Sequence, residues 1–487
     1  MTPPSTVPSV ARPSGRALTT LPGPRGWPLV GNLFQLKVTQ LQTILEQWAD
    51  TYGPLYTFRL GRKPVVVLAA PDLIQAVLRQ RPETFRRMDV IARVLEDVGA
   101  HGLFAAEGTA WRRQRRVVMP ALSLPHVRQF FPILSAATAG LKTRWDQAAR
   151  TGAVVDMPAE LMRYTVEVIT RVTFGDDLRH ELAALPQHLG QILAVINRRI
   201  MAPPWPAWQV FTRPADRGVE RAIAALRTAL STALAQCRER VVPAPEEATP
   251  PTTLVEALLA TRDDAGTALR EDEILGNVFT LVVAGTETTA NTLAWMMHFL
   301  TANPAVQRTM QQEADAVLGE ARLLPDVQAQ DQLRYIDAVA QETLRLKGVA
   351  PVLSMEPLQA VEVGGLHLPA GTAIFLLTRY GGLHESAFTN ADQFQPERWL
   401  TAPPEPRTGH TPQAFMPFGG GPRVCPGRHL ALLEMKTVMA MLGRNFTLTK
   451  PAGTPPVGEH FAFTMKPTHL RLQVRHRERE RQTGERR

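Results

Sequence analysis

Cysteine is the scarcest reactive residue in this 487-residue chain, which holds two, Cys237 and Cys425. Cys425 stands in Phe418-Gly419-Gly420-Gly421-Pro422-Arg423-Val424-Cys425-Pro426-Gly427. Three successive glycines let a backbone run close to a flat ligand and take positive φ. Pro422 and Pro426 stiffen the turn and remove competing N–H donors. An apolar-periodic helix, Leu430-Ala431-Leu432-Leu433-Glu434-Met435, follows. A thiolate at its start would meet the positive end of the helix dipole and nearby N–H groups, so a lowered pKa and a role as metal ligand are expected. Arg423, two residues upstream, is a natural partner for a carboxylate. An isolated cysteine behind a glycine turn is more often an inert buried thiol, and a Cys237–Cys425 bridge is the other pairing open to two cysteines. Five fixed residue types in Phe-x-x-Gly-x-Arg-x-Cys-x-Gly set this cysteine apart.

A second constellation is Glu287-Thr288, inside Phe279-Thr280-Leu281-Val282-Val283-Ala284-Gly285-Thr286-Glu287-Thr288-Thr289-Ala290-Asn291. The flanks predict one long apolar helix from about Glu271 to Asn303. Gly285, an acid and three threonines lower helix propensity at its centre, and hydroxyls bonding back to carbonyls bend or widen a helix. An acid beside an alcohol is a proton relay, able to carry protons into an apolar pocket without flooding it. Glu342 and Arg345 share one helix face. Alone that spacing is weak, since Glu478 and Arg481 repeat it in the C-terminal tail. Phe394-Gln395-Pro396-Glu397-Arg398-Trp399 follows, ahead of Cys425. Trp111 and Arg115, in Trp111-Arg112-Arg113-Gln114-Arg115-Arg116, lie one helical turn apart.

In order and spacing these segments resemble the cytochrome P-450 family, over nearly the whole chain from Leu21-Pro22-Gly23-Pro24 to the helix after Cys425. The resemblance implies haem b with the Cys425 thiolate on its iron, pushing electron density to favour O–O cleavage. It implies that Phe418 packs beside the haem and tunes the thiolate, and that Gly421, Arg423 and Gly427 belong to the cofactor site. Trp111 and Arg115 would hold a propionate through an indole N–H and a guanidinium. Glu342, Arg345 and Arg398 would form a buried charged triad that locks the haem loop. Thr288 would donate a proton toward the distal oxygen of dioxygen, and Glu287 would relay protons from solvent. Phe104, Phe279, Val282, Val283, Ala284 and Val352 are the expected pocket residues. There are two departures. Ten positions beyond Arg345, where the family usually carries a propionate-contacting Arg, this chain has Met355, and Gly348 replaces a common Pro.

The elements that must position these residues are legible in outline. Leu21-Pro22-Gly23-Pro24-Arg25-Gly26-Trp27-Pro28 is extended or turning backbone. Helical spacing runs from Leu41 to Trp48, then a strand pair spans Leu55–Leu60 and Val65–Leu68. Helical periodicity dominates from Pro71 to about Gly348. It is interrupted at the aromatic, proline-rich Met201–Trp208 and at the linker Pro243–Pro251. Short strands such as Ala373–Leu377 occupy Val349–Phe418, and a last helix covers about Arg428–Gly443. The expected fold class is therefore mostly α with a minor β portion, one large cytochrome P-450-type haem-thiolate domain. Its boundaries are read as a disordered segment 1–20, a monooxygenase domain 21–474 and a charged tail 475–487.

Hydrophobic residues make up 44% and charged residues 20%, ordinary for a globular protein. Two cysteines leave no disulfide framework or four-cysteine metal site within the chain, and their rarity fits a reducing, cytoplasmic setting. No segment has the ~20 apolar residues that span a bilayer, so no transmembrane anchor is expected. Trp205 and Trp208 are read as a lid over the pocket entrance, with a peripheral touch on a membrane or lipid-like substrate. The formal charge is +9. Without aromatic–basic alternation it does not point to nucleic acid. Arg112, Arg113 and Arg116 with Arg428 and Lys436 are instead read against an acidic ferredoxin or flavodoxin. No nucleotide-binding glycine loop or iron–sulfur cysteine cluster is visible, so electrons are expected from such a carrier and its NAD(P)H-dependent reductase. The expected reaction inserts one oxygen atom from O2 into an apolar small molecule: a lipid, terpenoid, steroid or polyketide-like compound. The rivals are a peroxide-using peroxygenase or hydroperoxide isomerase on the same fold, and a non-catalytic haem sensor.

Overall fold

The structure is a computed structural model, and it describes residues 16–175, 185–200, 217–240, 251–262, 266–400 and 411–477. The expected lid at Trp205 and Trp208, the linker at 243–250 and the tail beyond 477 lie outside the described residues.

Fourteen described helices carry most of the chain, and short strands gather at its two ends. The strands are β1 (Leu55–Leu60), β2 (Lys63–Leu68), β3 (Phe85–Arg87), β4 (Val154–Asp156), β5 (Val352–Pro357), β6 (Val361–Val363), β7 (Leu366–Leu368), β8 (Ala373–Leu377), β9 (Phe446–Thr449), β10 (Gly458–Phe461), β11 (Met465–Thr468) and β12 (Arg471–His476). The largest sheet has the order β1-β2-β8-β5-β3. Its β2–β8 pair is parallel and its other pairs are antiparallel. A second sheet is ordered β4-β12-β9, and β6–β7 and β10–β11 form hairpins.

The unbroken apolar run in β2 has a direct cause. Val65 and Val67 pack against Leu45 and Ala49 of the helix Leu41–Tyr52 on one face. Val66 and Leu68 pack against Ile74, Val77 and Leu78 of the helix Pro71–Arg79 on the other. A strand covered on both faces needs no polar alternation.

The helical core is organised by Glu271–Ala302, which packs along Met157–Phe174. Gly285 serves that packing, because a Cβ there would come within 2.9 Å of Ile169 Cδ1. The helix is continuous through the threonine-rich centre. Thr288 and Thr292 satisfy their hydroxyls on the carbonyls of Ala284 and Thr288, at 2.8 and 2.9 Å, without ending it.

Three readings need adjustment. β3 and β4 interrupt the stretch expected to be helical from Pro71 to Gly348. Four strands follow the last helix, Arg428–Asn445, in short turn-divided runs that helical periodicity does not detect. Of the segment expected to be unstructured, residues 16–20 pack on the body: the Arg16 N–H donates to Gly365 at 2.9 Å, and Leu18 touches the cluster around Val66 and Leu366. At the other end Arg477 binds Asp315 through both terminal nitrogens, at 2.9 and 2.7 Å.

Candidate active site

The site is a cavity of about 2160 Å³ between the long helix, the large sheet and the loop before the last helix. Cys425, Phe418 and Gly427 line it, and so do Phe104, Trp111, Arg115, Val283, Ala284, Glu287, Thr288, Val352 and Met355. The Cys425 loop is set by contacts of its own. The Cys425 N–H donates to the Phe418 carbonyl at 3.0 Å. Arg115 donates to the Val424 carbonyl at 2.8 Å. Gly421 has φ +65°, and a Cβ there would stand 2.3 Å from the Leu78 carbonyl, so glycine lets the loop press on the helix Pro71–Arg79 rather than on a ligand. Cys237 and Cys425 form no disulfide.

Along the long helix, Asn277, Thr280 or Leu281, Ala284, Thr288 and Thr292 recur at spacings of three and four as one lining stripe, flanked by Val283, Gly285, Glu287 and Thr289. Phe279 and Val282 fall off that stripe. They are buried in the helical core and do not line the cavity, which corrects the pocket expected from sequence. Glu287 is buried, with one carboxylate oxygen lacking a hydrogen-bond partner among the described residues. Burial raises its pKa, and Thr464 and Lys466, of the β10–β11 hairpin, draw it part of the way back. Thr464 in turn accepts from Asn291 at 3.2 Å. Sequence reasoning missed both hairpin residues, for no local signal ties them to the helix.

Glu342, Arg345 and Arg398 come together as a buried cluster. Arg345 holds both Glu342 oxygens, at 2.9 and 2.7 Å, and Arg398 reaches the same carboxylate at 3.0 Å. The Trp399 indole and the Gln395 N–H also donate to it, at 2.9 and 3.0 Å. Arg345 donates to the carbonyls of Gly382, Ala391 and Gln393, and Arg398 to those of Thr389 and Asn390. These bonds fasten the segment 382–399, whereas the Cys425 loop is held by Arg115 and Arg423. Arg423 binds Glu107 at 2.6 Å and the Ala106 carbonyl, and stacks over Trp111 at 4.8 Å. Its Nε and Nη1 have no partner among the described residues.

The family model for cytochrome P450 matches residues 21–474. The chain belongs to the cytochrome P450 family. Protein LUTEIN DEFICIENT 5, chloroplastic, of Arabidopsis thaliana is 29% identical over 442 residues, covering 87% of this chain and 72% of that one. Pentalenene oxygenase of Streptomyces avermitilis is 27% identical, covering 93% and 96%. The bifunctional cytochrome P450/NADPH--P450 reductase of Fusarium oxysporum is 28% identical, and this chain spans 42% of its length. The crystal structure of cytochrome P450DA heme domain superposes with a TM-score of 0.82 at 24% identity, covering 95% of this chain and 98% of that one.

This P450 is accordingly a monooxygenase with haem b as its cofactor. Its residues fit that group. The cavity wall is largely apolar, with one thiol among the lining side chains and unpartnered guanidinium nitrogens on Arg423 and Arg81. The thiol is where expectation and structure part. Burial pushes Cys425 up, and the N–H groups of Gly427 and Arg428 with the charges of Arg115 and Arg428 offset only part of that. The helix start alone does not make the thiolate. A metal ion bound to the sulfur would favour the thiolate, as haem iron does. The arginine run is also less free than its sequence suggests, because Arg112 and Arg113 pair with Glu83 and Glu273. No helix among the described residues is long and apolar enough to cross a membrane.

Proposed function

We propose that this P450 inserts one oxygen atom of O2 into an apolar, lipid-, terpenoid-, steroid- or polyketide-like molecule. What carries the reading is that Cys425 and the Glu287–Thr288 pair line one cavity whose remaining wall is largely apolar. Bound haem supplies the activation of dioxygen, and Cys425 is the residue that would hold its iron. Around it the chain excludes water with Phe104, Val283, Ala284 and Val352 and keeps a buried proton donor at Glu287. Thr288, whose hydroxyl donates to the Ala284 carbonyl, lines the same cavity. Glu342 and Arg345, with Arg398 from the segment itself, hold 382–399 against the helix Arg334–Leu346. Pentalenene oxygenase and the cyclooctatin synthase of Streptomyces melanosporofaciens, 27% identical, favour the terpenoid among these.

Electrons would arrive from a separate acidic carrier, a ferredoxin or flavodoxin served by an NAD(P)H-dependent reductase. Support comes from the exposed Arg428, three residues beyond Cys425.

The test is a CO-difference spectrum of the reduced protein, then product analysis with lipophilic compounds under O2 plus reductant and under H2O2 alone. The thiolate-type Soret band is expected in wild type and not in Cys425→Ala, and product is expected with O2 plus reductant. A band unchanged in Cys425→Ala, or product from H2O2 alone, would reject the reading.

A further inference from the structure

Three guanidiniums converge on the cavity wall beside Trp111: Arg81, Arg87 and Arg423. Arg81 is 2% exposed, yet its Nε and Nη2 have no partner among the described residues. Arg423 leaves Nε and Nη1 in the same condition. Arg87 lies over the Phe104 ring at 3.5 Å and gives one nitrogen to the Phe104 carbonyl at 3.2 Å. Buried guanidinium nitrogens without acceptors are expensive, because each has lost water and gained no bond in return. Burial first and then Arg423 lower Arg81 to about 10, with Glu107 pulling the other way. Arg87 is lowered as well, by burial first and then by Arg81 and Arg423, so the three repel one another. Glu107 is the acid bound within the cluster, to Arg423, and Glu83 acts on Arg423 as well. Arg81 and Arg87 have no carboxylate bound to them among the described residues, which leaves room for a pair of carboxylates.

The strand register says which position this cluster replaces. β3 pairs antiparallel with β5, with Arg87 directly opposite Met355 and Arg86 opposite Glu356. Alternation sends Arg86 to the other face, where it binds Glu356 at 2.7 Å and the pair borders the cavity from its rim. Arg87 and Met355 share the cavity face, and directly opposed side chains start only about 5 Å apart. A guanidinium on either strand therefore serves the same volume.

We propose that Arg87, with Arg81, anchors the haem propionates in this chain, taking from the neighbouring strand the place of an arginine absent at position 355. The inference rests on the haem reading above and deepens it. Met355 is then free to be apolar, and it packs with Val66, Phe85 and Ile374 at the edge of the cavity.

The experiment follows haem transfer from the ferric holoenzyme to excess apomyoglobin, by the Soret band, in wild type, Arg87→Met, Arg81→Gln and the double variant Arg87→Met/Met355→Arg. Arg87→Met and Arg81→Gln should each lose haem faster, by roughly tenfold or more for one charge-assisted bond. Met355→Arg should bring Arg87→Met back to within about threefold of wild type. If Arg87→Met purifies without haem, the readout becomes haem content, and Met355→Arg should restore it. Wild-type release in both single variants overturns the proposal, and so does failure of the double variant to recover. A third contrary outcome is that release stays normal while Arg87→Met weakens binding of a long-chain fatty acid but not of its alcohol. That would make the cluster a substrate-carboxylate site. The ferrous-CO band separates the two levels: its absence in wild type removes the haem-thiolate reading itself, whereas a normal band with unchanged haem release removes only this inference.

Discussion

At the scale of single residues the site is a set of side chains held away from their ordinary chemistry. Glu287 keeps its proton to higher pH than an exposed glutamate, because burial outweighs Thr464 and Lys466. A donor that stays protonated in an apolar cavity is what delivery of protons to oxygen requires. Glu287→Gln should slow turnover on the order of a hundredfold and abolish the alkaline fall in rate that titration of the acid produces, both read from a pH–rate profile. Thr288→Ala should leave reductant consumption running while product falls about tenfold and peroxide replaces it, measured as product formed per reductant consumed. Unchanged coupling in that variant removes Thr288 from the proton path.

At the scale of elements, the cluster on the helix Arg334–Leu346 decides how the chain approaches the cofactor loop. Glu342 accepts from Arg345, Arg398, Trp399 and Gln395, and both arginines spend their remaining nitrogens on carbonyls of 382–399. Burial alone would raise Glu342, yet Arg345 and Arg398 hold it below the ordinary carboxylate range. Removing the acid strands the buried Arg345 and the half-buried Arg398. Glu342→Ala is therefore expected to destabilise the fold by about 3–5 kcal/mol, seen as a lowered urea midpoint, with faster proteolysis within 382–399. A loss confined to the Cys425 loop would contradict this division of labour, in which Arg115 and Arg423 hold that loop instead.

At the scale of the whole molecule, a second buried network joins the two ends of the chain. Arg379, after β8, binds Glu46 on the helix Leu41–Tyr52 at 2.9 and 2.7 Å and Glu459 on β10 at 3.0 Å. Lys347 and Gln42 complete the shell of Glu459, at 2.5 and 2.8 Å. Burial would raise Glu459, but Arg379 and Lys347 overcome it and set its pKa at about 2, below the ordinary 4.5. A depressed acid contributes stability that is present above its unfolded pKa and is lost as pH falls through the folded one. Wild type should therefore lose stability from this group between pH 4.5 and about 2. Glu459→Gln should be less stable at neutral pH and flatten that part of a plot of urea midpoint against pH. An identical slope in the variant would show that the network does not tie the ends.

Much of this P450 is written in contiguous sequence. The Cys425 turn, the acid–alcohol pair in its helix and the helix Arg334–Leu346 are local patterns, set by the period of a helix and by what glycine and proline permit. Even the strands β1, β2 and β8 show in their runs of branched residues. Other features existed only once strands and helices had packed. The rotation of Phe279 out of the cavity needed the phase of a buried helix, apolar on more than one side. The pairing of Arg87 with Met355 needed a strand register. Arg379 and Glu46 meet across 333 positions. Such contacts leave no period in the sequence, because they follow from which faces bury against which. That is a property of the packed chain, and it is there that the arginines of the cavity find one another.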